Sequence, residues 1–258
     1  MQNFKIIVAY DGTDFSGWQI QPNTVTVSST LQKTFKKVFA KPIISLIGAS
    51  RTDSGVHALH QVARFKAKLN IPLEKILKAW NAQLPKNILI RSLQKVNIDF
   101  HPCANVHQKT YYYHLFLKKP LPFIARYGWF YDMIKLVNWQ KFEKSLQLYI
   151  GKHDFASFCK IDPGEKKDTV RIINSIKIRK IKRFETFQVI IKGKSFLRFQ
   201  IRRMIGYALD VARRKDLKID YLKEILDNPN PKQKLLKAEG CGLVLRKIIY
   251  KNEFNFKK

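Results

Sequence analysis

Apolar positions in the first hundred residues follow two periods. Phe4–Val8, Ile43–Ile47, Gln61–Phe65 and Ile88–Val96 are short apolar or β-branched runs of strand length. Between them, Thr30–Phe39 places Leu31, Phe35, Val38 and Phe39 on one helical face and Lys33, Lys36 and Lys37 on the other. Pro72 opens a second helix, Leu73–Gln83, because its fixed φ and missing N–H suit a helix start. The order is strand, helix, strand, strand, helix, strand.

The remainder repeats that order. Thr110–Leu117, rich in Tyr and Phe, predicts a strand, and Trp139–Tyr149 an amphipathic helix stopped by Gly151. Ile172–Ile181 and Phe187–Ile191 predict a pair of strands, Ser195–Arg213 a long helix, Tyr221–Leu226 a short one and Leu243–Ile249 a closing strand. Apolar periodicity lapses near Asp99–Asn105, so the boundary falls there, giving halves 1–99 and 100–258. The fold expected is α+β: two tandem ferredoxin-like βαββαβ halves, with mainly antiparallel sheets side by side and a central active-site cleft.

Composition narrows the partner. The chain has 258 residues, with 49 Lys+Arg against 19 Asp+Glu, a net charge of +30. The basic residues are spread along the chain rather than gathered in a tail, which predicts a folded, positively charged surface and a polyanionic partner, nucleic acid before membrane. No apolar run approaches the roughly 20 residues of a membrane span. Cys103, Cys159 and Cys241 stand far apart and form no CxxC pair, which argues against structural zinc and for a reducing, cytoplasmic compartment.

The chemistry concentrates in Gly48-Ala-Ser-Arg-Thr-Asp-Ser-Gly-Val-His57, between two predicted strands. It holds one acid, Asp53, two residues after Arg51. In an extended segment the two share a side, and an arginine partner keeps a carboxylate ionised and usable as a nucleophile. Thr-Asp-Ser-Gly is also an ordinary turn sequence, and on physics alone the turn is the better reading. Tyr111 and Tyr113 share one strand face, where core packing is the usual role, and Arg202-Arg203 on a helix is most simply a solvated face. His57 and His60 lack a third ligand, so no metal is expected.

Arg51-Thr-Asp-Ser-Gly-Val-His57 resembles the active-site signature of the TruA family of tRNA pseudouridine synthases. The other segments similar to that family fall in the same order. They are Tyr10-Asp-Gly-Thr, Gly17-Trp-Gln-Ile-Gln21, Phe100-His101, Lys109-Thr-Tyr-Tyr-Tyr113, Gly151-Lys-His-Asp-Phe-Ala-Ser-Phe158, Ser195-Phe-Leu-Arg-Phe-Gln-Ile-Arg-Arg-Met-Ile-Gly206 and Ala238-Glu-Gly240. The sequence departs from the family pattern at Phe199, commonly histidine, and at Lys237, commonly proline.

The resemblance implies isomerisation of uridine to pseudouridine at positions 38, 39 and 40 of the tRNA anticodon arm, by a homodimer, without metal or organic cofactor. It implies Asp53 as nucleophile, Arg51 orienting it, Tyr111 stacked on the uracil, and Arg202 supporting the carboxylate. A paired uridine must first flip out of its stack. Phe100, His101, Lys160, Lys166, Lys167 and Arg171 are expected RNA contacts. A non-catalytic RNA-binding protein and a synthase acting on another RNA are the competing readings.

Overall fold

The computed structural model describes residues 1–162, 164, 165 and 168–251 and is an α+β arrangement of ten strands and five helices. It divides into two compact units. One comprises Met1–Lys109 with Val244–Lys258, and the other Thr110–Leu243.

In the first unit, strands β1 (Gln2–Tyr10), β2 (Ile44–Gly48), β3 (His57–Ala67) and β4 (Ile88–Val96) alternate with helices α1 (Val27–Phe39) and α2 (Leu73–Gln83). β1 lies between β4 and β3 and is antiparallel to both. The far edge of β3 is shared. β2 pairs antiparallel with its later residues, Gly48 opposite Ala63. The last strand of the chain, which spans Leu243–Tyr250, pairs parallel with its start, Val244 opposite His57.

The alternation in β1 buries Phe4, Ile6, Val8 and Tyr10. Phe4 sits opposite Phe65 with rings 5.0 Å apart, and Phe35 of α1 and Trp80 of α2 meet Phe65 edge-on at 5.5 Å each. That aromatic cluster fastens both helices to the sheet. α1 begins three residues before the predicted Thr30. Thr26 caps it, its Oγ1 accepting from Ser29 N (3.2 Å) while the Ser29 hydroxyl accepts from Thr26 N (3.1 Å).

Strand β5 (Val106–Phe116) leads into the second unit, which holds β6 (Trp129–Phe130), α3 (Trp139–Gln147), β7 (Gly151–Asp154), β8 (Val170–Ile181), β9 (Thr186–Gly193), α4 (Gln200–Arg213) and α5 (Ile219–Asp227). β10 is the closing strand already described. Here the strand order is β5-β9-β8-β7, with β6 parallel to the end of β5. β6 and β7 carry no apolar alternation, and the sequence did not announce them. α4 begins at Gln200 rather than Ser195, because Phe199 takes a left-handed conformation (φ 65°) and Leu197 N donates to Gln200 Oε1 (2.8 Å), closing a turn where the apolar period would continue the helix.

The segment 236–238 crosses α4 at Gly206, where an added Cβ would meet Leu236 O at 2.2 Å. Trp80→Ala removes the ring that α2 presents to Phe35 and Phe65. It should cost about 3–5 kcal/mol of stability, read as a fall in the urea midpoint followed by the fluorescence of the remaining tryptophans.

Candidate active site

The run from Ala49 to Val56 leaves β2 and returns into β3, and nearly every residue in it is held. Ala49 N donates to Val62 O (2.8 Å) and Ser50 N to Gln61 Oε1 (3.2 Å), while the Gln61 amide donates back to Ser50 O. Lys109 Nζ donates to Ala49 O (2.7 Å). Thr52 is buried, its Oγ1 2.7 Å from the Tyr10 hydroxyl and its carbonyl accepting from Trp18 N (3.1 Å). Gly55 N donates to Phe15 O (3.3 Å), and Val56 N to Asp53 O (3.2 Å) closes the turn. Asp53 is half-buried on this frame and Arg51 is exposed.

The partners come from the segment between β1 and α1, which must lie backbone against backbone with the loop. A Cβ on Gly12 would meet Val56 O at 2.1 Å. One on Gly17, whose φ is +90°, would meet Thr52 O at 2.5 Å and Asp53 C at 3.0 Å. Trp18 (1 % exposed) fills the space behind, where Gly48 leaves room for its indole. Gly12 N donates to His57 Nδ1 (3.0 Å), with Asp11 Oδ1 3.2 Å from the same nitrogen. His57 is thus a structural tie, and among the described residues no cluster of three or more His, Cys, Asp or Glu is arranged to hold a metal ion. Sequence reasoning singled out the Asp53 run but missed these ties. Their one visible signal was the glycines at 12 and 17.

Phe100 and His101 also belong to the first unit. Phe100 is fully enclosed, its ring 5.6 Å from that of Tyr250. His101 is half-buried, its Nδ1 accepting from Cys103 N (3.3 Å).

In the second unit, Tyr111 is buried (5 % exposed) with its ring edge-on to Phe196, centroids 5.2 Å apart. Arg202 is buried too, against the solvated face its helix position suggested. Its Nε donates to Ala238 O (2.8 Å) and its guanidinium lies 5.4 Å from the Phe199 ring centre. Lys160 is exposed, 3.6 Å from Asp162, and Arg171 reaches Asp168 at 3.5 Å. Lys166 and Lys167 lie outside the described residues.

A family described as tRNA pseudouridine synthase matches residues 6–103 and 146–251. A protein of Thermoanaerobacter sp. (strain X514) named tRNA pseudouridine synthase A is 37% identical over 251 residues, covering 97% of this chain and 100% of its own length. One of Clostridium perfringens (strain 13), named tRNA pseudouridine synthase A 2, is 34% identical with 97% and 100% coverage. Another, of Brachyspira hyodysenteriae, named tRNA pseudouridine synthase A, is 32% identical with 98% and 100%.

Two substitutions test the loop's frame. Gly17→Ala puts a methyl group into the Thr52 carbonyl and should cost on the order of 1–3 kcal/mol, with faster amide hydrogen exchange at Trp18 and Val56 than in the parent. Burial pushes the Lys109 ammonium down to about 8 from 10.5, so the folded chain binds fewer protons than the unfolded one between those values. Its contribution to stability therefore rises with pH from about 8 toward 10.5. Lys109→Met should flatten that rise in urea midpoints measured across the window.

Proposed function

The chain belongs to the tRNA pseudouridine synthase family, and on that premise we propose that it acts at positions 38, 39 and 40 of the anticodon stem-loop with Asp53 as nucleophile. Membership makes it an isomerase that converts uridine to pseudouridine in tRNA. The observation that carries the Asp53 assignment is the way its loop is held. A carboxylate that attacks a reacting centre must keep its position as the substrate arrives, and the hydrogen bonds at Ala49, Ser50, Thr52 and Gly55 fix the backbone on both sides of Asp53.

The reaction breaks the glycosidic N1–C1′ bond, turns the uracil and joins its C5 to C1′. The proton lost from C5 is balanced by one gained at N1, so neither oxidant nor cofactor is required. A carboxylate serves this by attack at C1′, by attack at uracil C6, or by deprotonating the sugar as the base departs. Arg51, exposed on the same loop, is assigned to orient Asp53 and to fill the space an everted nucleotide vacates. Tyr111 is assigned to stack on the uracil, a contact valued at about 1–3 kcal/mol per base elsewhere. The edge contact with Phe196 supports this by holding its ring upright. Arg202, its Nε engaged by Ala238 O, is assigned as a substrate-binding residue.

Element order supports reading the chain as a tandem of ferredoxin-like halves. β1-α1-β2-β3-α2-β4 is one βαββαβ unit, and β5-α3-β8-β9-α4-β10 repeats it with β6, β7 and α5 added. His101, Lys160 and Arg171, with Lys166 and Lys167, are assigned to tRNA phosphates. A homodimer acting in the cytoplasm completes the reading. Among the described residues no helix is long and apolar enough to cross a membrane.

Asp53→Asn separates this reading from a non-catalytic RNA binder. Pseudouridine formation, mapped by carbodiimide modification and primer extension on tRNA, should fall on the order of 10³-fold or more. The tRNA dissociation constant should stay within about twofold, because no phosphate contact is removed. Unchanged turnover in the variant would overturn the assignment.

A further inference from the structure

The second unit carries a cavity of about 510 Å³, and of its lining residues only Lys160 has a role above. Nine residues line it. Five of them, Lys160, Arg203, Lys232, Lys234 and Lys237, carry positive charge and none carries negative charge, so its occupant is an anion. On its wall is Phe199, the residue whose left-handed backbone ends the turn before α4.

The cations at this place are gathered and fixed by neutral groups. Lys237 Nζ lies 4.6 Å from the Phe199 ring centre, and the guanidinium carbons of Arg198 and Arg202 lie 5.1 and 5.4 Å from it. A ring quadrupole attracts cations without cancelling their charge. Arg203 is held in the same way, its Nη1 donating to the carbonyls of Ser157 and Cys159. The carboxylate Asp162 stands at one side, 3.6 Å from Lys160 and 3.2 Å from Arg198, and among the described residues it pairs with none of Lys232, Lys234 and Lys237. A bulky residue at positive φ is strained, and strain of this kind is found at binding sites.

We propose that this cavity binds a backbone phosphodiester of the tRNA, with Lys232, Lys234 and Lys237 as its direct ligands. The inference rests on the tRNA substrate of the reading above and is independent of Asp53, whose failure as nucleophile would leave it standing.

The test uses the full chain with Lys232→Gln, Lys234→Gln and Lys237→Gln combined. It is compared with a charge-matched control, Lys33→Gln, Lys36→Gln and Lys37→Gln on the polar face of α1. Filter binding to unmodified tRNA over a salt series should show the cavity variant roughly tenfold weaker near physiological salt. Its slope of log affinity against log salt should be shallower by about 1 or more, with a smaller change in the control. Phosphate-ethylation interference should reveal at least one tRNA phosphate whose ethylation weakens the parent and not the cavity variant. Equal slopes for the cavity variant and the parent, equal losses in variant and control, or an unchanged interference pattern would each overturn the proposal. In a parallel arm, inorganic phosphate at millimolar concentration should compete no better than its ionic strength explains. Specific competition would identify a free-phosphate site instead and overturn the RNA assignment.

Discussion

Two positions without side chains set the terms for the rest of the molecule. Gly12 and Gly17 let the segment after β1 lie against the Asp53 loop at distances no Cβ would tolerate. The backbone exchange at Trp18–Thr52 and Phe15–Gly55 follows from that approach. Trp18 and Tyr10, both buried, close the space behind, so the loop is held through the core of its own unit and not by surface contacts. The role proposed for Asp53 would depend on this, because an arriving polyanion repels an acidic side chain that is not held in place.

Charge is managed by the same means in both units. The chain carries far more cations than carboxylates can pair, and several buried or half-buried ones are turned onto carbonyl oxygens and aromatic rings: Lys109 onto Ala49 O, Arg202 onto Ala238 O and Arg203 onto Ser157 O. Neutral acceptors offset desolvation while leaving the charge to be felt by a ligand. The burial of Lys109 shows the cost of that solution, since it pushes the ammonium down to about 8.

Much of this was legible in the residues. The helical face of Leu31 and Phe35, Pro72 ahead of α2 and the β-branched run of β4 all specify local structure through short-range preferences. The misses arise where tertiary contacts override those preferences. Phe199 sits in a run whose apolar spacing reads as helix, yet it turns left-handed beneath three cations. Arg202 reads as a solvated position and is buried because the 236–238 segment lies over α4. Phe100 reads as part of a recognition motif and is enclosed with Tyr250, a residue 150 positions further along the chain. The role proposed for Asp53 rests on motif resemblance, since its spacing to Arg51 equally describes a surface turn.

The edge of β3 beside the Asp53 loop is completed by β10, which pairs Val244 with His57 across most of the sequence. During synthesis that edge stays bare while the ribosome adds the intervening residues, roughly 10 to 40 seconds at bacterial elongation rates. The start of β3 therefore gains this partner only after the whole of the second unit has been made. The order of synthesis leaves the closing of the first unit to residues that follow the second.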